Sequence, residues 1–112
     1  MSYRHSIGYL LTTNSLIYSC IDRSMVVVAT HLANVNGSNR DFSLQHVPAD
    51  ESPNDKFSLH YDQQVKGTSS AQYSEPIILS PGETLHAKAS AVDSVNMTLY
   101  IIPYGDWIAG VA

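Results

Sequence analysis

Apolar and polar residues alternate with a period of two along most of this chain, and the alternation is cleanest near its C-terminal end. In residues 84–91, Leu85, Ala87, Ala89 and Ala91 fall on one face and Thr84, His86, Lys88 and Ser90 on the other. In residues 95–102, Val95, Met97, Leu99 and Ile101 oppose Asn96, Thr98, Tyr100 and Ile102. This is the pattern of strands with one face on a core. Shorter runs of the same kind occupy residues 6–12, 15–21, 41–47, 57–62 and 71–79. In residues 57–62 the apolar row is Phe57, Leu59 and Tyr61. Residues 25–35 form the longest strand candidate, rich in β-branched side chains. Its first half is apolar on both faces, with Val26 and Val28 against Met25, Val27 and Ala29. That calls for a central strand whose outer face is covered, by the chain's own termini or by a neighbour.

Turn chemistry divides these runs. Ser80-Pro81-Gly82-Glu83 predicts a type II turn, because Pro fixes φ at the first central position and Gly accepts positive φ at the second. Asn36-Gly37 predicts a tight hairpin turn between residues 25–35 and 41–47. The pair 84–91 and 95–102 reads as a closing hairpin. Residues 48–56 (PADESPNDK) and 63–70 read as loops. Pro76 cannot donate to a ladder and marks an edge or a bulge in 71–79. About eight short strands and no amphipathic helix predict an all-β, antiparallel β-sandwich of jelly-roll type.

The 112 residues form a single domain, 1–112, long enough for one core without staples. Six Lys and Arg against ten Asp and Glu give a net charge of −4, which argues against direct nucleic-acid binding and against an anionic membrane surface. Charged residues are 14% of the chain, below the roughly 25% usual for soluble domains. With seven tyrosines, such a surface suits burial against other chains as well as a plain Ser/Thr-rich β-protein. Cys20 is the only cysteine, which fits a reducing compartment, and its apolar setting predicts an inert thiol. The N-terminus lacks the long apolar run and cleavage site of a signal peptide.

No catalytic motif is present. His5, His31, His46, His60 and His86 have no metal-ligand spacing, although His31 and His46 would meet across a hairpin at Asn36-Gly37. Asp50, Glu51 and Asp55 lack the dense spacing and fixed glycine of a cation loop. We therefore expect no enzyme, no cofactor and no metal. Of the strand tyrosines, Tyr9, Tyr18 and Tyr61 share parity with core residues, and Tyr100 faces out. The tail Asp106-Trp107-Ile108 carries the only Trp, an enriched interface anchor. Tyr104, Trp107 and Ile108, with Tyr3 and Leu10 at the other end, are the candidate partner interface.

The segments SLIYSCIDRSMVVVATHLANVNGSNRDFSLQHVP and PIILSPGETLHAKASAVDSVNMTLYIIPYG resemble small β-sandwich virion proteins of tailed bacteriophages, capsid decoration proteins in particular. The resemblance implies a protein on the outside of an icosahedral shell, made in the host cytoplasm. There it would contact the major capsid protein, as a homodimer, and stabilise contacts between capsid subunits. The rivals are a carbohydrate-binding or adhesin-type sandwich, which would show several outward aromatics on one face, and a cupin-type enzyme, which would show clustered metal ligands.

Overall fold

A computed structural model describes residues 3–111, the side chains of those two end residues excepted. The chain runs through β1 (Tyr3–Tyr9), β2 (Ser15–Ser19), β3 (Met25–Asn34), β4 (Arg40–Val47), a 3₁₀ turn (Asp55–Phe57), β5 (Ser58–Val65), β6 (Ser69–Tyr73), β7 (Ile77–Leu79), β8 (Thr84–Ala89), β9 (Val95–Pro103) and the helix α1 (Tyr104–Val111). One sheet has the order β1-β9-β3-β6, with β7 also paired to β3, and the other has the order β2-β8-β4-β5. All pairings are antiparallel. β6 and β7 are one strand broken at Pro76: both lie on β3, β6 against its second half and β7 against its start. Counted as one, they make eight strands in two four-stranded sheets, the jelly-roll arrangement. The predicted sandwich is therefore present, with nine strands where the pattern gave about eight, and with a helix where it gave an irregular tail.

Between the sheets lies the core. Val95, Met97, Leu99 and Ile101 of β9 and Leu85, Ala87 and Ala89 of β8 are all buried, each set on one face as the alternation predicts. Val27 and Leu32 of β3, Phe42 and Leu44 of β4 and Leu79 of β7 complete it. The two-faced stretch of β3 has a local cause. Val27 pairs with Ile101 and Ala29 with Tyr100, so Val28 is an inserted bulge residue that switches the buried parity from Val27 to Thr30. Val26 points the other way yet is 0% exposed. It pairs with Ile102 and Ile78 on the outer face, where α1 folds back onto β9 and β3 and donates Tyr104 N–H to the Ser24 carbonyl at 3.0 Å. The cover that the sequence called for comes from the chain's own C-terminal helix.

The outer face of the second sheet is covered too. Gln45 and Val47 point outward on β4 by their pairing with His86 and Thr84, yet both are 0% exposed. The 3₁₀ turn of the loop after β4 lies over them, and Gln45 Nε2 donates to Asp55 Oδ1 across a long 3.4 Å.

Two predicted hairpins, at Asn36-Gly37 and between residues 84–91 and 95–102, are corrected, and the β1–β2 link proves to be of the same kind. β1 and β2, β3 and β4, and β8 and β9 each lie in opposite sheets, so the links at Thr13-Asn14, Asn36-Gly37 and residues 90–94 are crossovers. At Asn36-Gly37 the turn is held by side chains: buried Asn34 donates to the Ser38 and Val65 carbonyls and accepts Asn36 N–H at 2.9 Å. His31 and His46 consequently sit in different sheets. Residues 63–70 are not a loop, since β5 runs to Val65 and β6 starts at Ser69. β5 also has the opposite parity to that predicted. His60 pairs with inward Leu44, which leaves Leu59 46% and Tyr61 57% exposed.

The turn at residues 80–83 is as predicted: Gly82 has φ +94, and Glu83 N–H donates to the Ser80 carbonyl at 3.0 Å. A Cβ on Gly82 would also meet Ala49 Cβ at 3.0 Å. Gly82→Val is expected to cost about 1–3 kcal/mol, from positive φ imposed on a β-branched residue. The check is the chemical denaturation midpoint, which should fall with the slope unchanged.

Candidate interaction surfaces and recesses

The predicted interface residues separate into three groups. Tyr104, Trp107 and Ile108 lie at i, i+3 and i+4 on α1 and share a face. Tyr104 is 37% and Ile108 39% exposed, Trp107 is half-buried, and the Tyr104 and Trp107 rings sit 5.9 Å apart. Leu10 is corrected: at 2% exposure it belongs to the core, held by its N–H on the Val95 carbonyl at 2.8 Å, and it is Leu11, at 57%, that faces out. The Tyr3 side chain lies outside the described residues.

Leu11 belongs to a second apolar surface. β1 and β2 are the edge strands on one side of the sandwich, and between them opens a groove of about 280 Å³. Ile7, Tyr9, Leu11, Leu16 and Ile17 line it, and Leu16 is 58% exposed. No charged side chain lines this groove. Tyr9 is 47% exposed, so its assignment to the core is also corrected. It shares the outer face of the first sheet with Tyr100, whereas Tyr61 lies on the second sheet. The outward tyrosines do not form one platform.

On the opposite side of the sandwich, a recess of about 120 Å³ opens where Pro76 breaks the edge strand. His60 and Tyr73 point into the mouth between the sheets, their ring centroids 4.3 Å apart, and Phe42 packs on them at 5.3 and 5.8 Å. Burial pushes the His60 pKa down, and the nearby Glu75 charge opposes it. Burial also pushes Tyr73 up. Sequence reasoning passed over this group because the apolar residues of residues 57–62 pointed to the other face. A third, polar hollow of about 150 Å³ on the second sheet is lined by Asp41, Ser43, Asp62, Lys88 and Ser90. There Ser43 Oγ accepts Asp62 N–H at 3.0 Å.

One half-buried corner pairs opposite charges. Glu83 Oε1 accepts Ser80 N–H at 2.8 Å and lies 2.9 Å from His46 Nε2. Burial alone would raise the Glu83 pKa, but the Ser80 N–H, the His46 hydrogen bond and the His46 charge together hold it below the usual value. Cys20 is buried at the same corner, and burial raises its thiol pKa, which disfavours the reactive thiolate. The described residues bring no three of His, Cys, Asp and Glu together as a metal site. Asp50 and Glu51 are exposed.

No protein-family model matches the chain, and no curated protein matches its sequence. Among solved structures, a chain from the structure of infectious bursal disease virus Gx strain is similar, with a TM-score of 0.46 and 10% identity. The match covers 94% of this chain and 32% of that one, so this chain spans about a third of the length of the chain it matches. At that level the likeness carries no functional content.

These pKa directions lead us to expect a two-stage acid response. His60 and His86 have pKa values lowered by burial from 6.5, so as pH falls below about 6.5 the unfolded chain takes up these protons first and stability declines. The Glu83 pKa is lowered from 4.5, so its contribution is intact above about pH 4.5 and is lost as pH falls through its folded value. Denaturant melts from pH 8 to 3 should show both stages, and His60→Phe should shrink the upper one. A flat profile between pH 7 and 5 would contradict the assignment.

Proposed function

We propose that this chain is a structural protein of a virion: a capsid decoration protein that binds the outside of an assembled shell and bridges neighbouring major capsid subunits. The observation that carries the proposal is the pair of separate apolar surfaces on a domain whose core is already complete. One is the α1 face of Tyr104, Trp107 and Ile108; the other is the uncharged groove between β1 and β2. Exposed apolar surface beyond a closed core marks contact with other chains. Two such surfaces suit a bridging protein, with α1 on the shell and the groove against a second copy. Binding only to the assembled shell stabilises it by mass action, and joining two copies multiplies a weak contact through effective concentration. The low charge content fits contacts buried on both sides.

An alternative is a carbohydrate-binding or adhesin-type module. One observation favours it, the mixed aromatic and polar recess beside Pro76.

Co-sedimentation with shells lacking this protein tests the proposal. Ile108→Asp changes an exposed side chain, so the domain should melt within about 2 °C of the parent, as surface changes do. It should bind shells at least about tenfold more weakly, in line with loss of an interface anchor. Leu16→Asp should weaken self-association instead. If both variants decorate shells as the parent does, the reading is wrong. Removal of residues 104–112 is a separate case. It uncovers Val26, and the expected cost is about 1–3 kcal/mol, read as a lower melting temperature.

A further inference from the structure

We propose that the recess between β5 and the broken strand β6–β7 binds a single uncharged sugar ring. The site stands on its own geometry and does not depend on the virion reading.

Its parts come from both sheets. Thr30 of β3, 2% exposed, lines it with His60 of β5 and Tyr73 of β6. Glu75 and Pro76, in the break between β6 and β7, supply the rim, with Leu59 and Ile77 as apolar walls. The break matters for the shape: a continuous strand would carry its ladder along β3, whereas Pro76 ends it and turns Glu75 to the rim. The two rings cannot easily move, because Phe42 backs both of them.

The polar groups of the recess are uncommitted. The histidine ring hydrogen bonds among the described residues belong to His46 and His86, and His60 makes none. Glu75 is in no ion pair there. Among the described residues, the sealed polar atoms without partners are Asn14 Oδ1, Arg40 Nε, Gln45 Oε1 and Ser58 Oγ, and none of these residues lines the recess. Glu75, His60, Thr30 and Tyr73 thus line one small space, with none of their side chains in a hydrogen bond or ion pair among the described residues. A few polar groups converging in a largely apolar pocket are the usual mark of a ligand site.

The chemistry narrows the ligand. A pyranose has apolar C–H faces for the imidazole and phenol rings, and hydroxyls at its edge for Glu75, His60 and Thr30. A carboxylate at the rim disfavours anionic sugars. A purely apolar ring would leave Glu75 and His60 partly desolvated without hydrogen bonds, which is costly. Size sets the depth: about 120 Å³ is below the ~150 Å³ cavity that takes one benzene, so one edge of a pyranose enters, and the rest of that ring and any second ring stay outside.

The test is a titration of the ¹⁵N-labelled protein with glucose, galactose, mannose, rhamnose and N-acetylglucosamine, followed by amide chemical shifts. A ligand of about a dozen heavy atoms should bind at roughly millimolar strength. At least one of the five should give saturable shifts centred on His60, Tyr73 and Glu75. Glu75→Gln, a change on an exposed side chain, should lower affinity about tenfold without changing the melting temperature. Tyr73→Phe should lower it less. Ile108→Asp should bind sugar as the parent does, which separates this site from the shell contact. Several results overturn the proposal: no saturable shift with any of the five, shifts centred elsewhere, or undiminished binding by Glu75→Gln. Protection of His60 and Tyr73 by shells in place of sugars would assign the recess to a protein side chain and overturn it equally.

Discussion

The corner at Glu83 is the constraint that the rest of the sandwich depends on. Its main chain and side chain tie three links together. Glu83 N–H closes the turn onto Ser80, and the Glu83 carbonyl takes Cys20 N–H at 3.0 Å. Gly82 N–H donates to the Cys20 carbonyl at 2.8 Å, and the Glu83 carboxylate meets His46. The crossover from β7 to β8, the segment entering β3 and the end of β4 therefore share one set of bonds. This matters because six of the eight links between successive strands pass from one sheet to the other. A sheet whose neighbours are distant in sequence gains no register from its turns. Register must come from the core rows and from fixed corners such as this one.

The outer faces are closed by irregular structure, and what they leave open defines the functional surfaces. α1 covers Val26 on one sheet; the loop after β4 covers Gln45 and Val47 on the other. Both covers are local and leave the two open sides of the sandwich unsealed. On the β1–β2 side the gap is apolar and uncharged, which suits a protein surface. On the β5–β6 side it is plugged by aromatic rings with free polar edges, which suits a small polar ligand. One architecture thus presents two chemically different mouths.

The sequence made the class of fold legible, and for a physical reason. β8 and β9 are central strands, flanked on both sides, so their alternation is strict and their parity is preserved in the structure. The 80–83 turn was legible because Pro and Gly at fixed positions leave few conformations. The edge strand β5 was misread because an edge position tolerates Leu59 and Tyr61 in solvent while a polar ring, His60, goes inward onto Phe42. The bulge at Val28 was invisible for a related reason: an inserted residue shows in sequence only as two apolar faces. Asn36-Gly37 signalled a turn correctly and a hairpin incorrectly, since the side chains of Asn34 and Asn36 hold it and no strand pairing does. The recess at His60 and Tyr73 joins residues from both edges, and no spacing along the chain records that. Of the predicted interface, the α1 residues remained at the surface, whereas Leu10 went to the core because β1 ends there on Val95.

β9 lies between β1 and β3, and β8 lies between β2 and β4. The strands that hold each sheet together are thus the last strands of this domain to leave a ribosome. Until residues 84–103 have emerged, β1 has no partner in its sheet and neither does β2. A growing chain can form only the β4–β5 pair and the strands that lie on β3. Folding is then a late event that begins when nearly the whole domain is free, and it is slow in the way of sheets built from distant partners. In the cell, this places the exposed, uncharged β2 edge at risk of pairing with other copies during synthesis. Yield is thereby linked to how quickly the last quarter of this domain follows the rest.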